Sequence, residues 1–271
     1  MQINKLSKVK LNYYNSLSNK RYQRKYGKFI IEGLCFVEEA LQLQPKSDYR
    51  VDEIVVDSLF VNKPIFSRIQ ELTAEENIPI IAIKRYQFEQ ISQQSSPQGI
   101  LAVLRFPAKS DDVRLGDLLT YKGIILFLDG VRDPGNCGTL IRCAAAFGAS
   151  AVIIGEDTVK LYNYKVIQAT AGAFFHIPII DMGHRDSTEI LSKFIERGFN
   201  IFATHTDGTN INSISIGKKN ILIVGNEGAG IRKSILRLPH NKISIPISEK
   251  VDSLNAGIAG AIALYRFSSL I

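Results

Sequence analysis

Six short apolar runs recur through residues 123–246, and they confine the second half of the chain to one kind of architecture. They read GIILFLD (Gly123–Asp129), AVIIG (Ala151–Gly155), HIPII (His176–Ile180), NIFAT (Asn200–Thr204), ILIVG (Ile221–Gly225) and KISIP (Lys242–Pro246). Their apolar stretches are continuous rather than alternating, so both faces of each strand need cover, and helical segments separate most of them. Buried strands joined by helices give an α/β fold with a mainly parallel sheet. No run reaches about 18 apolar residues, so no membrane span is expected. The richest stretch, Ala256–Leu264, is short and built mostly of small residues.

The first half reads as a smaller layered α/β domain over residues 27–106. Strands are expected at Phe29–Ile31, Glu53–Val56, Ile78–Ile83 and Gly99–Phe106. Helical spacing follows at Leu34, Val37, Ala40 and Leu41, from Pro64 to Glu76, and from Tyr86 to Ile91. Residues 107–122 break the pattern with a proline and a polar cluster and read as a linker, leaving 123–271 as the second domain.

Residues 1–26 read as a basic N-terminal arm. Residues 1–28 hold Lys5, Lys8, Lys10, Lys20, Arg21, Arg24, Lys25 and Lys28 and no acid, while the whole chain carries +7. Tyr13, Tyr14, Tyr22 and Tyr26 are interleaved with these cations. Cations displace counterions from phosphates and aromatic rings stack on exposed bases. Lys20, Arg21, Arg24 and Lys25 are therefore candidate RNA contacts, against the plainer reading of a solvated basic terminus. The N-terminus lacks the apolar core of a secretory signal. Cys35, Cys137 and Cys143 form no CxxC pair, and His176, His184, His205 and His240 are scattered. No disulfide framework and no metal site is expected, and a reducing, cytoplasmic location fits.

The unusual residues fall just after strands, where open α/β sheets place their ligands. After Asp129 comes GVRDPGNCGTLIRCAAAFGA, a glycine- and proline-forced turn opening a helix over Cys137–Phe147. Arg142 sits among small and apolar residues there, so a structural ion pair is the alternative to a functional role. After ILIV comes GNEGAG (Gly225–Gly230), then the helix-like IRKSILRL. This turn fails the P-loop pattern, and its Glu227 would repel a pyrophosphate but suit a ribose or a sulfonium. Capping of the following helix is the alternative role for Glu227. After KISIP, Asp252 or Ser253 is positioned to cap a helix starting near Leu254. That helix contains Ala256, Gly257, Ala259, Gly260, Ala261 and Ala263, which implies close backbone contact. The contact would lie across a subunit interface, under a ligand loop, or within the core of one chain.

Taken together, these stretches resemble the SpoU, or TrmH-like, branch of the SPOUT RNA methyltransferases. DPGNCGTLIRCAAAFGA is similar to that family's first motif, LIVGNEGAGI to its second and IPISEKVDSLNAGIAGAIALY to its third. ATAGAFFHIPI (Ala169–Ile179) is similar to the segment between the first two, while FIIEG and SPQGILAVL mark the similarity of the first half to a ribosomal-protein-like RNA-binding domain. The resemblance implies a C-terminal SPOUT domain with a deep trefoil knot, a homodimer, and S-adenosyl-L-methionine as methyl donor. It implies transfer to a ribose 2′-hydroxyl of rRNA, large-subunit by preference, or of tRNA. By motif position, Gly225, Ile245 and Leu254 would contact the donor, and Arg142, Asn136, Glu227, Ser253 and Asn255 would form the catalytic set. Arginine rarely gives up its proton, so Arg142 is expected to steady the developing alkoxide or hold the adjacent phosphate. Glu249 stands where many relatives carry glycine. The alternative function is an RNA-binding or ribosome-assembly factor of the same fold without catalysis.

Overall fold

A computed structural model describes residues 3, 5–44, 47–183 and 185–270; His184 lies outside them. The chain forms two compact units that divide after Ala108.

The first unit contains α1 (Lys8–Ser16), α2 (Lys20–Tyr26), β1 (Lys28–Glu32), α3 (Leu34–Leu43), β2 (Arg50–Asp57), α4 (Ile65–Glu75), β3 (Ile80–Ile83), α5 (Arg85–Ile91) and β4 (Ile100–Arg105). Its sheet runs β1-β4-β2-β3, with β4 antiparallel to both neighbours and β2 parallel to β3. The layered α/β expectation for this half agrees with that sheet.

The N-terminal residues differ from the expected arm. Ser7 and Asn19 cap α1 and α2 by accepting from the Lys10 and Arg21 backbone N–H groups. Tyr14 and Leu17 are fully buried in one cluster with Phe88, Ile91, Leu101 and Val103. Burial of Leu17 alone is worth roughly 1.5–3 kcal/mol. The Gln87 amide exchanges two hydrogen bonds with the Leu6 backbone, at 3.0 and 3.1 Å. Lys10 pairs with Glu53 at 3.1 Å and Lys28 with Asp52 at 2.5 Å. The anchoring residues are few and dispersed among cations, so charge dominates the sequence pattern while packing decides the structure.

The second unit contains α6 (Asp111–Leu118), β5 (Gly123–Asp129), α7 (Pro134–Ala146), β6 (Ala151–Ile154), α8 (Tyr164–Ala169), β7 (Ile179–Asp181), α9 (Ser187–Glu196), β8 (Asn200–Asn210), β9 (Lys219–Gly225), β10 (Asn241–Ser244) and α10 (Ala256–Ser268). Its sheet runs β10-β8-β9-β5-β6-β7 with all neighbours parallel. The six apolar runs thus form one parallel sheet. The linker expected at 107–122 contains α6, capped by Ser110, whose Leu115 and Leu118 are buried with Phe127, Ile180 and Ile223.

Two further elements depart from expectation. IRKSILRL forms only a single 3-10 turn at Ile235–Arg237, because Ile231 and Ile235 are drawn into the core and Arg232 is held by side chains from elsewhere. The cap of α10 is Asn255, whose Oδ1 accepts from Ile258 N–H at 3.2 Å, rather than Asp252 or Ser253.

The small residues of α10 serve packing within the chain. A Cβ at Gly257 would lie 3.1 Å from Asn136 Oδ1, and one at Gly260 would collide with Leu140 Cδ2. Asn136 and Leu140 are one turn apart on α7, so these glycines let α10 settle along that face. On another side of α7, a Cβ at Gly138 would meet the Val166 carbonyl oxygen at 2.5 Å and crowd Ala169 of α8.

Two helical glycines should therefore respond oppositely to alanine. Gly116→Ala in α6, where a Cβ meets nothing within 4 Å, should raise stability by about 0.5–1 kcal/mol. Gly138→Ala should lower it by about 1–3 kcal/mol through overpacking. Thermal melting of both variants checks the pair; a gain at Gly138 would contradict the α7–α8 packing.

Candidate active site

The site begins with register. β5 and β9 pair from Gly123 opposite Lys219 through Asp129 opposite Gly225, so both strands end level and their following loops emerge side by side. Buried Asp129 binds the segment that follows the second loop. Its Oδ2 accepts from the Arg232 backbone N–H at 2.8 Å, and its Oδ1 accepts from Arg232 Nε at 2.7 Å. Arg232 also donates to Ser187 Oγ at 2.8 Å and to Glu156. Burial alone would lower the guanidinium's pKa, but the Asp129 and Glu156 carboxylates outweigh it and raise the value above the ordinary one.

The first loop turns into α7 through Asp133, the N-cap, whose Oδ1 accepts from Asn136 N–H at 2.7 Å; Pro134 occupies the first turn. The second loop folds on Asn226. Its Oδ1 accepts from the Gly228 and Ala229 N–H groups at 3.0 and 2.9 Å, and its Nδ2 donates to the Gly130 carbonyl at 2.8 Å. The Asn226 and Gly230 backbones exchange two hydrogen bonds of 3.0 Å, closing a tight loop. A Cβ at Gly225 would come within 2.5 Å of the Gly230 carbonyl carbon, so only glycine permits that closure.

Glu227 joins the two loops. Its Oε1 accepts from Asn136 Nδ2 at 3.0 Å and from the Asp133 N–H at 3.3 Å; its Oε2 accepts from the Arg132 N–H at 3.4 Å. Burial raises the pKa of this carboxyl, but the Asn136 amide and the backbone donors outweigh it and leave the value below the ordinary carboxylate range. Glu227 therefore does not cap a helix after its own loop. Together with Asp133 it occupies N–H groups at the start of α7, where a phosphate would otherwise bind.

The second loop borders a cavity of about 460 Å³, within the size range of small-molecule sites. Gly225–Gly230 form one wall, Ile243 to Leu254 another, Thr204–Thr206 a third, and Ala256, Ala259 and Ala263 of α10 complete it. Glu227, Glu249 and Asp252 line it, and among the described residues no lysine or arginine does. The walls combine apolar side chains, loop backbone and negative charge. That combination suits a ligand with a flat apolar part and a cationic centre, and it disfavours a polyphosphate. S-adenosylmethionine, a sulfonium, fits these residues.

The cavity brings together Gly225, Ile245 and Leu254, the expected donor contacts, with Glu227 and Ser253. Asn136 joins them through Glu227, and Asn255 follows Leu254 as the α10 cap. Glu249 is an exposed part of the lining. Arg142 lies apart: it is exposed on α7, outside the lining, and no carboxylate pairs with it among the described residues. The ion-pair alternative for Arg142 is thereby set aside. Lys20, Arg21, Arg24 and Lys25 all lie on α2 of the first unit. Sequence reasoning missed Asp129, Asp133, Asn226 and Arg232. Asp133 had a signal, since an aspartate directly before proline is a cap followed by a preferred first-turn residue. Arg232 had none, because its partners are remote in sequence. Among the described residues no three His, Cys, Asp or Glu side chains gather as metal ligands, and no helix is long and apolar enough to cross a membrane.

Comparison with known proteins gives the same outline. The SpoU rRNA Methylase family matches residues 123–265, and the MRM3-like substrate binding domain matches residues 8–102. The 23S rRNA (guanosine(2553)-2′-O)-methyltransferase RlmP of Bacillus subtilis is 31% identical over 267 residues, covering 98% of each chain. The 23S rRNA (guanosine-2′-O-)-methyltransferase RlmB of Xanthomonas campestris is 25% identical, covering 80% of this chain and 87% of its own. The AdoMet-bound rRNA methyltransferase of Sinorhizobium meliloti superposes with a TM-score of 0.83 at 25% identity, covering 99% of this chain and 98% of its own.

The Glu227 tie predicts a pH dependence. A carboxyl whose pKa falls on folding stabilises fully above its unfolded value, roughly 4.3. That contribution fades as pH drops through the lower folded value. Glu227→Gln should lower stability at neutral pH by roughly 0.5 kcal/mol, since the group is partly solvent-screened. The gap from wild type should close below about pH 4. Melting curves across that range test it; a gap that widens in acid would contradict the assignment.

Proposed function

The chain belongs to the SpoU rRNA methylase family, and from that premise we propose that it methylates a ribose 2′-hydroxyl in 23S-type ribosomal RNA. That it is an S-adenosylmethionine-dependent RNA methyltransferase follows from the family. The choice of large-subunit RNA over tRNA is supported by the relatives of B. subtilis and X. campestris, named for 23S rRNA, and by the accessory first unit that matches a substrate binding domain. A cytoplasmic location agrees with that substrate.

The observation that carries the proposal is the acid-lined cavity at the end of β9. Gly225, Ile245 and Leu254 would hold the donor there, largely through backbone groups. When bound, the donor supplies a methyl group already activated on a sulfonium. The chain's task is then to order the acceptor and manage its proton. Asn136 and Glu227 fix the first two loops against one another. Ser253 and Asn255 set the third loop and the start of α10, beside which the ribose is positioned. Arg142 steadies the oxyanion that appears as the hydroxyl loses its proton, or grips the neighbouring phosphate.

Within one chain Arg142 is not part of the cavity, so the reading includes a second copy that delivers it. Support comes from α10, where Ile258, Ile262 and Tyr265 are 54%, 37% and 62% exposed at spacings of one and two turns. Such an apolar stripe needs cover, and a homodimer built on it would complete the site. The reading also includes the family's knot. In its favour, the segment after edge strand β10 returns past the Thr204–Thr206 bend of β8 before α10 packs on β9 and α7.

Arg142→Ala should lower methyl transfer at least about 10²-fold while cofactor affinity stays near wild type. Mixed dimers of Arg142→Ala with a chain altered at Gly225 should recover part of the activity. Full turnover by Arg142→Ala would remove this residue from the mechanism, and absence of recovery in verified mixed dimers would count against a shared site. Ribose-methylation mapping of all stable RNAs, with and without the gene, should show one 23S nucleotide losing its mark; a lost tRNA mark instead would reassign the substrate.

A further inference from the structure

Three tyrosines of α1 and α2 remain at the surface after the core has taken Tyr14 and Leu17. Tyr22 and Tyr26, one helical turn apart, are 37% and 40% exposed. Their rings lie within 18° of parallel with centroids 6.3 Å apart, and Tyr13 meets Tyr26 edge-on at 5.2 Å. Together with Lys10, Asn12 and Ser16 they line an open concavity of about 640 Å³. Tyr13 rests partly against the core cluster, whereas Tyr22 and Tyr26 stay exposed, so burial does not account for their pairing.

The surrounding charge indicates what the concavity accepts. Lys10 and Lys28 are neutralised by Glu53 and Asp52. Arg21, Arg24 and Lys25 are exposed on the same short helix as Tyr22 and Tyr26, and none pairs with a carboxylate among the described residues. The Lys25 ammonium sits 5.5 Å from the Tyr26 ring centre. A partner must therefore offer negative charge and flat aromatic faces together. Unpaired RNA does so, whereas a duplex offers its phosphates but hides the faces of its bases.

We propose that Tyr13, Tyr22 and Tyr26 form a stacking platform for unpaired bases of the substrate RNA, with Arg21, Arg24 and Lys25 holding the flanking phosphates. That the ligand is RNA rests on the proposed function; the platform and its preference for unpaired nucleotides go beyond it. Stacking and charge should separate experimentally, because ring contacts release no counterions.

The probes are a mixed-sequence single-stranded RNA of about 12 nucleotides and a duplex of the same length. The chain holds ten tyrosines and no tryptophan, so stacking can be followed by quenching of tyrosine fluorescence. Wild type should bind the single strand more tightly than the duplex, with quenching. Tyr22→Leu with Tyr26→Leu should weaken single-strand binding at least about fivefold without changing the salt slope. Tyr22→Phe with Tyr26→Phe should stay within about twofold of wild type, since the ring is what stacks. Arg21→Gln with Arg24→Gln should flatten the salt slope by about 1.4. Unaltered binding by the leucine variant, equal losses on single strand and duplex, or absence of quenching in wild type would overturn the platform. These readouts involve no methyl transfer, so an inactive wild-type protein would speak against the catalytic reading alone.

Discussion

The Glu227 carboxylate is the joint on which the second unit's loop region depends. Parallel pairing of β5 with β9 brings two irregular loops to one edge of the sheet, but register does not fix their conformations. Loop backbones there carry N–H groups that need partners or water. Glu227 satisfies three donors of the first loop from within the second, and Asn226 returns the tie by donating to Gly130. Beneath them, Asp129 and Arg232 pin the exit of the second loop. The cavity is thus bordered by a loop, Gly225–Gly230, whose position is set through side chains on both of its flanks.

Charge is divided between the two units in a way that suits two tasks. The first 28 residues are all cationic among their charged groups, and the cavity of the second unit has carboxylates and, among the described residues, no lysine or arginine in its lining. A polyanionic substrate is attracted to the former, and a sulfonium to the latter. Glu249 adds to the negative lining. Arg142 is held away from these carboxylates on the outer face of α7, so its charge is not consumed by an internal pair.

Much of the second unit was legible because its strands are continuous apolar runs, whose pattern does not depend on distant partners. The parallel α/β sheet and the placement of the strand-end loops came from that pattern. What escaped was structure decided by remote contacts. IRKSILRL carries helical spacing, yet Arg232 is captured by Asp129 and Glu156, and Ile231 and Ile235 are drawn into the core before a helix can form. Residues 1–26 look like a solvated arm because lysines and arginines outnumber their anchors; only the sheet shows where Tyr14 and Leu17 go. In the site, the glycines, Glu227 and Asn136 stand out as oddities within a local motif. Asp129 and Arg232 look ordinary until the fold joins positions 103 residues apart.

The central claim is that the cavity walls formed by residues 204–206, 225–230 and 245–255 receive the methyl donor. Amide hydrogen exchange of the purified protein with and without S-adenosylmethionine tests it directly. The account predicts slowed exchange confined to residues 204–206, 225–230 and 245–255. Binding without protection of those segments, or protection centred on other loops, would contradict it.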